Sequence, residues 1–391
     1  MALAVAPARE ETVSGHMRAA ERAPQLPALT GLRFVAAFIV VVSHFTLSAR
    51  LPLLLPPHGI LAWPARLAAN ADAVGNLGVD FFFILSGFIL AYMYLTPAGA
   101  LRCTRRAFWV ARAGRILPLY LFAWVATAAL AIYGHEMYDT PVVTGLSSLT
   151  LTQAWLPRSA IAFNPPGWSL SAEVFFYATF PTFAMALARL SPRALVRAAV
   201  LLSFVFVAPA LALQVFAPND SYWQGIVYFN PLLRLPEFLL GVVAGRLFVT
   251  TPTCRVPRCT LALTVLVMGT AAAGSPLLPR HLLHNGLLTP AFAVIIYGVA
   301  CATRDGARTS ALVLWGTAPL VTLGEASYAL YILHWPMLDL FTRLVGGAPP
   351  PGGVTCITFF CAYLALTVAV SVLAWRCVET PARRAIRARW G

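Results

Sequence analysis

The sequence contains no lysine, and its acidic residues are few: 14 Asp and Glu against 28 Arg in 391 residues. Charged residues reach only 11%, with 59% hydrophobic and a mean hydropathy of +0.76. A soluble domain carries about 25% charge. This composition cannot clothe a water-facing surface, so lipid must face much of it. The seven Cys (Cys103, Cys254, Cys259, Cys301, Cys356, Cys361, Cys377) form no CxxC pair, which leaves no motif for a metal or a disulfide framework. The net charge of +14 does not mark a nucleic-acid binder. The Arg residues cluster between apolar blocks, as topology determinants of a membrane protein do. The 30 Pro residues suit membrane helices, whose neighbours re-satisfy freed backbone groups.

Ten apolar segments approach the about 20 residues that span a bilayer. They cover roughly 29–48, 77–96, 115–134, 168–189, 194–217, 228–249, 258–275, 285–302, 318–343 and 354–377. With the N-terminus inside, 21 Arg fall in inner segments, 5 in outer loops and 2 within spans. That bias predicts an all-α polytopic transmembrane bundle of about ten spans with both termini cytoplasmic. Residues 1–28, rich in Ala, Pro, Arg and Glu, read as a disordered cytoplasmic tail rather than a signal peptide. Residues 29–378 form one membrane domain, and 379–391 a basic cytoplasmic tail.

Ionisable groups inside a bilayer are costly and point to function. Nine fall in the spans: Arg33, His44, Asp80, Glu173, Arg234, Glu237, Glu325, His334 and Asp339. Arg33 and His44 are eleven residues apart, so they share a helix face about 16 Å apart. His44 reads either as an interhelical hydrogen-bonding group or as a general base for a hydroxyl. Ser169, Glu173 and Tyr177 share a face of the fourth span. Glu173 is assigned to the depth of His44, where a carboxylate would fix the imidazole tautomer; the alternative is a Glu that only holds helices together. Ser86-Gly87 suits close helix packing, whereas Asp80 is harder to explain by packing. Arg112 and Arg115 lie one turn apart at a helix mouth, where guanidinium groups serve topology or grip phosphates. Ser327, Tyr331 and His334 form one polar stripe, structural or site-lining. Arg234 and Glu237 read best as a pair within one helix.

Taken in order, these blocks resemble acyltransferase family 3, the group that includes bacterial O-antigen and exopolysaccharide O-acetylases. Leu29-Thr30-Gly31-Leu32-Arg33 with His44 resembles its opening Arg-x10-His motif. Asp80 to Phe88, Arg112 to Tyr120, Trp168 to Tyr177, Arg234 to Gly241, Ser327 to Pro336 and Glu379-Thr380-Pro381 resemble its later blocks. The resemblance implies an O-acyltransferase of the bacterial cytoplasmic (inner) membrane. It would move an acyl group, by family frequency acetyl, from acyl-CoA to a hydroxyl of a carbohydrate or another acceptor, with no metal and no nucleic-acid partner. O-antigen lipopolysaccharide, exopolysaccharide, a nodulation-type oligosaccharide, a macrolide and a peptidoglycan sugar all remain open as acceptors. His44 and Glu173 become the expected catalytic residues, and Arg33, Arg112 and Arg115 the donor site. Asp80, Ser86, Tyr331 and His334 become candidate lining, with Ser86 or Tyr331 facing an oxyanion. The chain ends soon after the tenth span, so the chemistry is expected inside the bundle. The rival reading is a proton-coupled transporter or glycan flippase, against which the sequence shows no inverted repeat.

Overall fold

The computed structural model describes residues 24–48, 62–136, 138–251, 256–273, 278–306, 310–346 and 353–390, so most of the expected N-terminal tail lies outside the described residues. Ten helices of 16 or more residues among the described residues overlap the ten expected segments. They are α1 Pro27–Ser48, α2 Ala62–Tyr94, α3 Arg105–Tyr133, α4 Gly167–Ala188, α5 Pro192–Phe216, α6 Pro231–Thr250, α7 Arg258–Ala273, α8 Thr289–Arg304, α9 Ser327–Leu344 and α10 Gly353–Ala374. No β-strand occurs among the described residues; Leu95 and Leu101 form one isolated bridge. Among the described residues, seven helical spans are long and apolar enough to cross a membrane. The seven do not include α6, which carries Arg234, Glu237 and Arg246, or α9, with Asp339 and Arg343, or the short α7.

Local chemistry sets the helix starts. Thr104 caps α3 by accepting from the Ala107 N–H at 3.1 Å. Asn230 caps α6 by accepting from Leu232 at 3.0 Å, ahead of Pro231 at the first helical position. Two interior prolines show how the freed carbonyls are satisfied. Pro181 has no N–H for the Tyr177 carbonyl, which accepts from Trp109 Nε1 at 3.1 Å. Pro336 likewise frees the Ile332 carbonyl, which accepts from Asn164 Nδ2 at 3.2 Å.

The expected ninth span is two helices. A short helix Ala318–Glu325 ends at Ala326, and α9 begins at Ser327. The second span begins earlier than expected, at Ala62, and the eighth is preceded by a short helix, Arg280–His284. Beyond α10 the chain runs through a π-helical turn, Trp375–Glu379, into a helix Thr380–Trp390 that packs on α3.

Helices α1, α2, α4, α6 and α9 form the centre. Phe83, Phe108, Phe176, Phe180 and Phe238 are buried there, and the Phe176 and Phe238 rings stack at 4.8 Å. Large apolar residues outside the centre face outward: Phe204, Leu211 and Phe216 on α5, Phe122 and Ile132 on α3, Leu263 and Leu266 on α7. Such a surface matches lipid rather than water. The protein is a multi-pass membrane protein.

Candidate active site

Three helices order the polar interior in the same way. On α1, Arg33 and His44 stand about 16 Å apart along the axis. On α9, Tyr328, Tyr331 and His334 climb one face, about 9 Å from first to last. On α4, running the opposite way, Tyr177, Glu173 and Ser169 make the same climb. The cross-helix contacts join these levels.

At the basic end, Arg115 forms an ion pair with Glu379, and its guanidinium lies over the Tyr328 ring at 5.4 Å. Arg383 reaches the same carboxylate at 3.8 Å. Arg33 lies close enough to Arg115 to repel it, yet makes no hydrogen bond or ion pair among the described residues. Arg112 turns inward. It donates to the Tyr94 hydroxyl at 3.0 Å and sits 5.3 Å from the Tyr94 ring and 5.7 Å from that of Tyr177. Its Nε is buried without a partner among the described residues, and its charge faces Glu173.

At the middle level, Glu173 accepts from Ser86 Oγ at 3.0 Å and from the Tyr177 hydroxyl. One turn further, Ser169 Oγ and the Tyr331 hydroxyl are 2.8 Å apart, and Tyr331 lies 3.1 Å from the Pro166 carbonyl. At the far end, His44 Nδ1 and His334 Nε2 are 2.8 Å apart, with the Trp335 ring edge-on to His44 at 5.6 Å. His334 is fully buried, and its Nδ1 donates to the Tyr331 carbonyl at 2.7 Å.

The structure therefore brings His44 together with His334. The expected carboxylate–imidazole pairing gives way to another: Glu173 bonds Ser86 and Tyr177 and faces Arg112. The reason is depth. Glu173 lies one helical turn nearer the basic end than Ser169, which is already level with Tyr331 rather than His334. The polar stripe on α9 holds in part. Tyr331 and His334 each meet another helix, whereas the buried Ser327 hydroxyl has no partner among the described residues.

Asp80 belongs to a separate network. Arg234 Nη1 donates to Asp80 at 3.0 Å, to Glu237 at 3.3 Å and to the His284 carbonyl at 3.1 Å. Its Nε donates to the Tyr228 carbonyl at 2.8 Å. The Arg234–Glu237 pair within α6 is thus real, and Asp80 completes it from α2. Asp80 is fully buried and cross-links α2 to α6 instead of facing the histidine pair. Next to it, Asn76 meets His284 at 2.8 Å.

Sequence reading missed two residues. Glu379, assigned to the basic cytoplasmic tail, is completely buried against Arg115; its only signal was its place in the Glu379-Thr380-Pro381 block. Trp335, beside His334, carried no signal of its contact with His44. Among the described residues, no group of three or more His, Cys, Asp or Glu is placed to hold a metal ion.

Fold and site together define a membrane protein with a polar centre buried among its helices, the class of intramembrane transferases and transporters. The model of acyltransferase family 3, described as an acyltransferase domain, matches residues 26–376, and the chain belongs to that family. Its relatives include the acyltransferase MdmB of Streptomyces mycarofaciens, 28% identical over 344 residues that cover 83% of this chain and 82% of MdmB. The O-acetyltransferase OatA of Staphylococcus aureus (strain NCTC 8325 / PS 47) is 22% identical over 382 residues, 92% of this chain but 57% of OatA. The chain thus spans little more than half of OatA. No solved structure matches. The protein is an acyltransferase.

Proposed function

We propose that the protein is a membrane-bound O-acyltransferase that moves an acyl group from acyl-CoA to a hydroxyl of a carbohydrate or similar acceptor, with His44 as general base. The observation that carries this reading is the polar ladder from the arginine cluster to the histidine pair, about three helical turns long. Acyl-CoA has phosphates for the guanidinium groups of Arg33, Arg112 and Arg115, and a long arm that places its thioester near His44. Arg33, with no hydrogen-bond or ion-pair partner among the described residues, and the orphaned Arg112 Nε are available to bind an anion.

In the reaction, His44 takes the proton of the acceptor hydroxyl as its oxygen attacks the thioester carbonyl. A C–O bond forms and the C–S bond breaks. The CoA thiolate leaves and receives the proton from the imidazolium. Glu173 holds Ser86 and Tyr177 and balances Arg112, which makes it a positioning residue for the donor side. The Tyr331 hydroxyl and Ser86 are the polar groups next along the ladder, and either would serve the oxyanion by turning its single O–H proton from the Pro166 carbonyl or from Glu173. Acetyl as the acyl group and the bacterial inner membrane as the location are part of the same proposal. The name of OatA supports an acetyl group and an oxygen acceptor.

His44→Ala is expected to reach the membrane at normal levels and to lose acyl transfer by about 10²- to 10⁴-fold. Radiolabelled acyl-CoA with purified protein and extracted surface glycans measures this. Undiminished transfer would remove His44 from the reaction.

A further inference from the structure

We propose that His334 is a positioning residue that sets the tautomer of His44 and leaves Nε2 of His44 as the unprotonated, reacting nitrogen. The inference rests on the reading of His44 as the base and adds what orients it.

The argument is a count of protons. A carbonyl oxygen only accepts, so the 2.7 Å contact to the Tyr331 carbonyl requires a proton on His334 Nδ1. In a neutral ring the lone pair then lies on His334 Nε2. That nitrogen is 2.8 Å from His44 Nδ1, so it accepts and His44 Nδ1 carries the proton. In a neutral His44 ring the remaining lone pair is then on Nε2. The ring geometry agrees. The planes lie within 10° and the centroids 5.0 Å apart, the separation given by two coplanar imidazoles joined edge to edge through an N–H···N bond. Lone pairs lie in the ring plane, so this arrangement makes the bond collinear.

The backbone that supplies the reference carbonyl is itself fixed. Tyr331 is buried and bonded to Ser169, the neighbouring Ile332 carbonyl is taken by Asn164, and the His334 carbonyl accepts from the Tyr363 hydroxyl at 3.0 Å. Carbonyl, His334 and His44 form a relay in which a buried imidazole takes the part that a carboxylate takes in other triads. When His44 Nε2 gains the hydroxyl proton, its Nδ1–H still points at the His334 lone pair, so the cation forms without reorienting either ring. A neutral partner has a consequence that a carboxylate would not: it steadies the imidazolium less, so the bound proton is passed on more readily to the leaving thiolate.

The test uses the full-length protein in lipid bilayers, labelled with 15N-histidine, with His44→Ala and His334→Ala spectra to assign the two rings. His44 is expected to show a protonated Nδ1 and an unprotonated Nε2, with a scalar coupling across the hydrogen bond to His334 Nε2. A protonated Nε2 with an unprotonated Nδ1 on His44 would overturn the proposal. In parallel, His334→Leu is expected to lose about 10²- to 10⁴-fold in turnover. His334→Gln, whose amide oxygen can accept from His44 Nδ1, is expected to recover at least a tenth of activity, with a displaced pH profile. If His44→Ala is inactive while His334→Leu keeps the wild-type rate and pH profile, the relay is wrong and the base assignment stands. If His44→Ala is active, the assignment of the base itself fails.

Discussion

Arg33 and Arg115 repel each other across the basic end, yet Glu379 is bonded to Arg115 and not to Arg33. The two should therefore respond differently to removal. Arg115→Ala leaves the buried Glu379 carboxylate with only the more distant Arg383, at 3.8 Å; leaving a buried charge with no partner at all costs about 3–5 kcal/mol in folded proteins, which is the upper bound here. The substitution is expected to lower the melting temperature in detergent. Arg33→Ala breaks no hydrogen bond or ion pair among the described residues, so its melting temperature should stay at the wild-type value. Charge-assisted hydrogen bonds contribute about 1.5–3 kcal/mol, so the loss is expected to raise the KM for acyl-CoA about 10- to 100-fold with kcat nearly unchanged. An unaltered KM would place the donor phosphates elsewhere. At this scale the sequence was legible within single helices and not between them. The Arg33–His44 spacing and the Ser169–Glu173–Tyr177 face follow from helical period alone. The partner of His44 depends on the relative depth of α1, α4 and α9 to within one turn, and nothing local in the chain encodes that depth. The same limit misplaced Asp80, whose companions Arg234 and Glu237 were visible as a pair while their link to α2 was not.

Each expected apolar segment is helical over most of its length, the ninth as two helices, because a bilayer selects first for hydrophobic length, and that length is written directly in the sequence. The break at Ala326 was not legible because its one local sign, Gly324 two residues before it, is also common inside membrane helices. It arises where Gly324 presses against the Thr30 backbone of α1, a tertiary contact. Small residues fare better, since they announce close approach. Ser86-Gly87 serves two purposes on two faces of α2. Ser86 bonds Glu173, while a Cβ at Gly87 would collide with the Phe238 carbonyl of α6. A Cβ at Gly241 would collide in turn with the Ile84 carbonyl. Backbone cannot swing aside as a side chain can. Gly241→Val is therefore expected to cost at least the about 1–3 kcal/mol of an overpacked core and to shift the protein towards aggregates on size-exclusion chromatography. Gly269→Ala on α7, where a Cβ meets open space, should leave the elution profile unchanged or sharpen it. Equal behaviour of the two variants would mean that α2 and α6 are not packed as closely as described.

Across the whole molecule, the direction of the polar ladder carries the functional argument. Acyl-CoA is made inside the cell, so the arginine end must open to the cytoplasm for the proposed reaction to run. The Arg asymmetry of the loops predicts the same orientation for an independent reason, the cost of moving cations across the membrane during insertion. The turn between α2 and α3, which holds Ala100, should then lie inside, and the turn after α3, which holds His135, outside. Both residues are exposed, so a thiol at either position is accessible from its own side. With the seven native Cys replaced by Ser, His135→Cys in intact cells is expected to react with a membrane-impermeant maleimide, and Ala100→Cys only after permeabilisation. The reverse pattern would turn the arginine cluster towards the outside, away from the cytoplasmic donor pool. The histidine chemistry could then survive only with a different acyl donor, one supplied from the outer face. The labelling result thus tests whether a cytoplasmic donor such as acyl-CoA can reach the arginine cluster, without any knowledge of the acceptor.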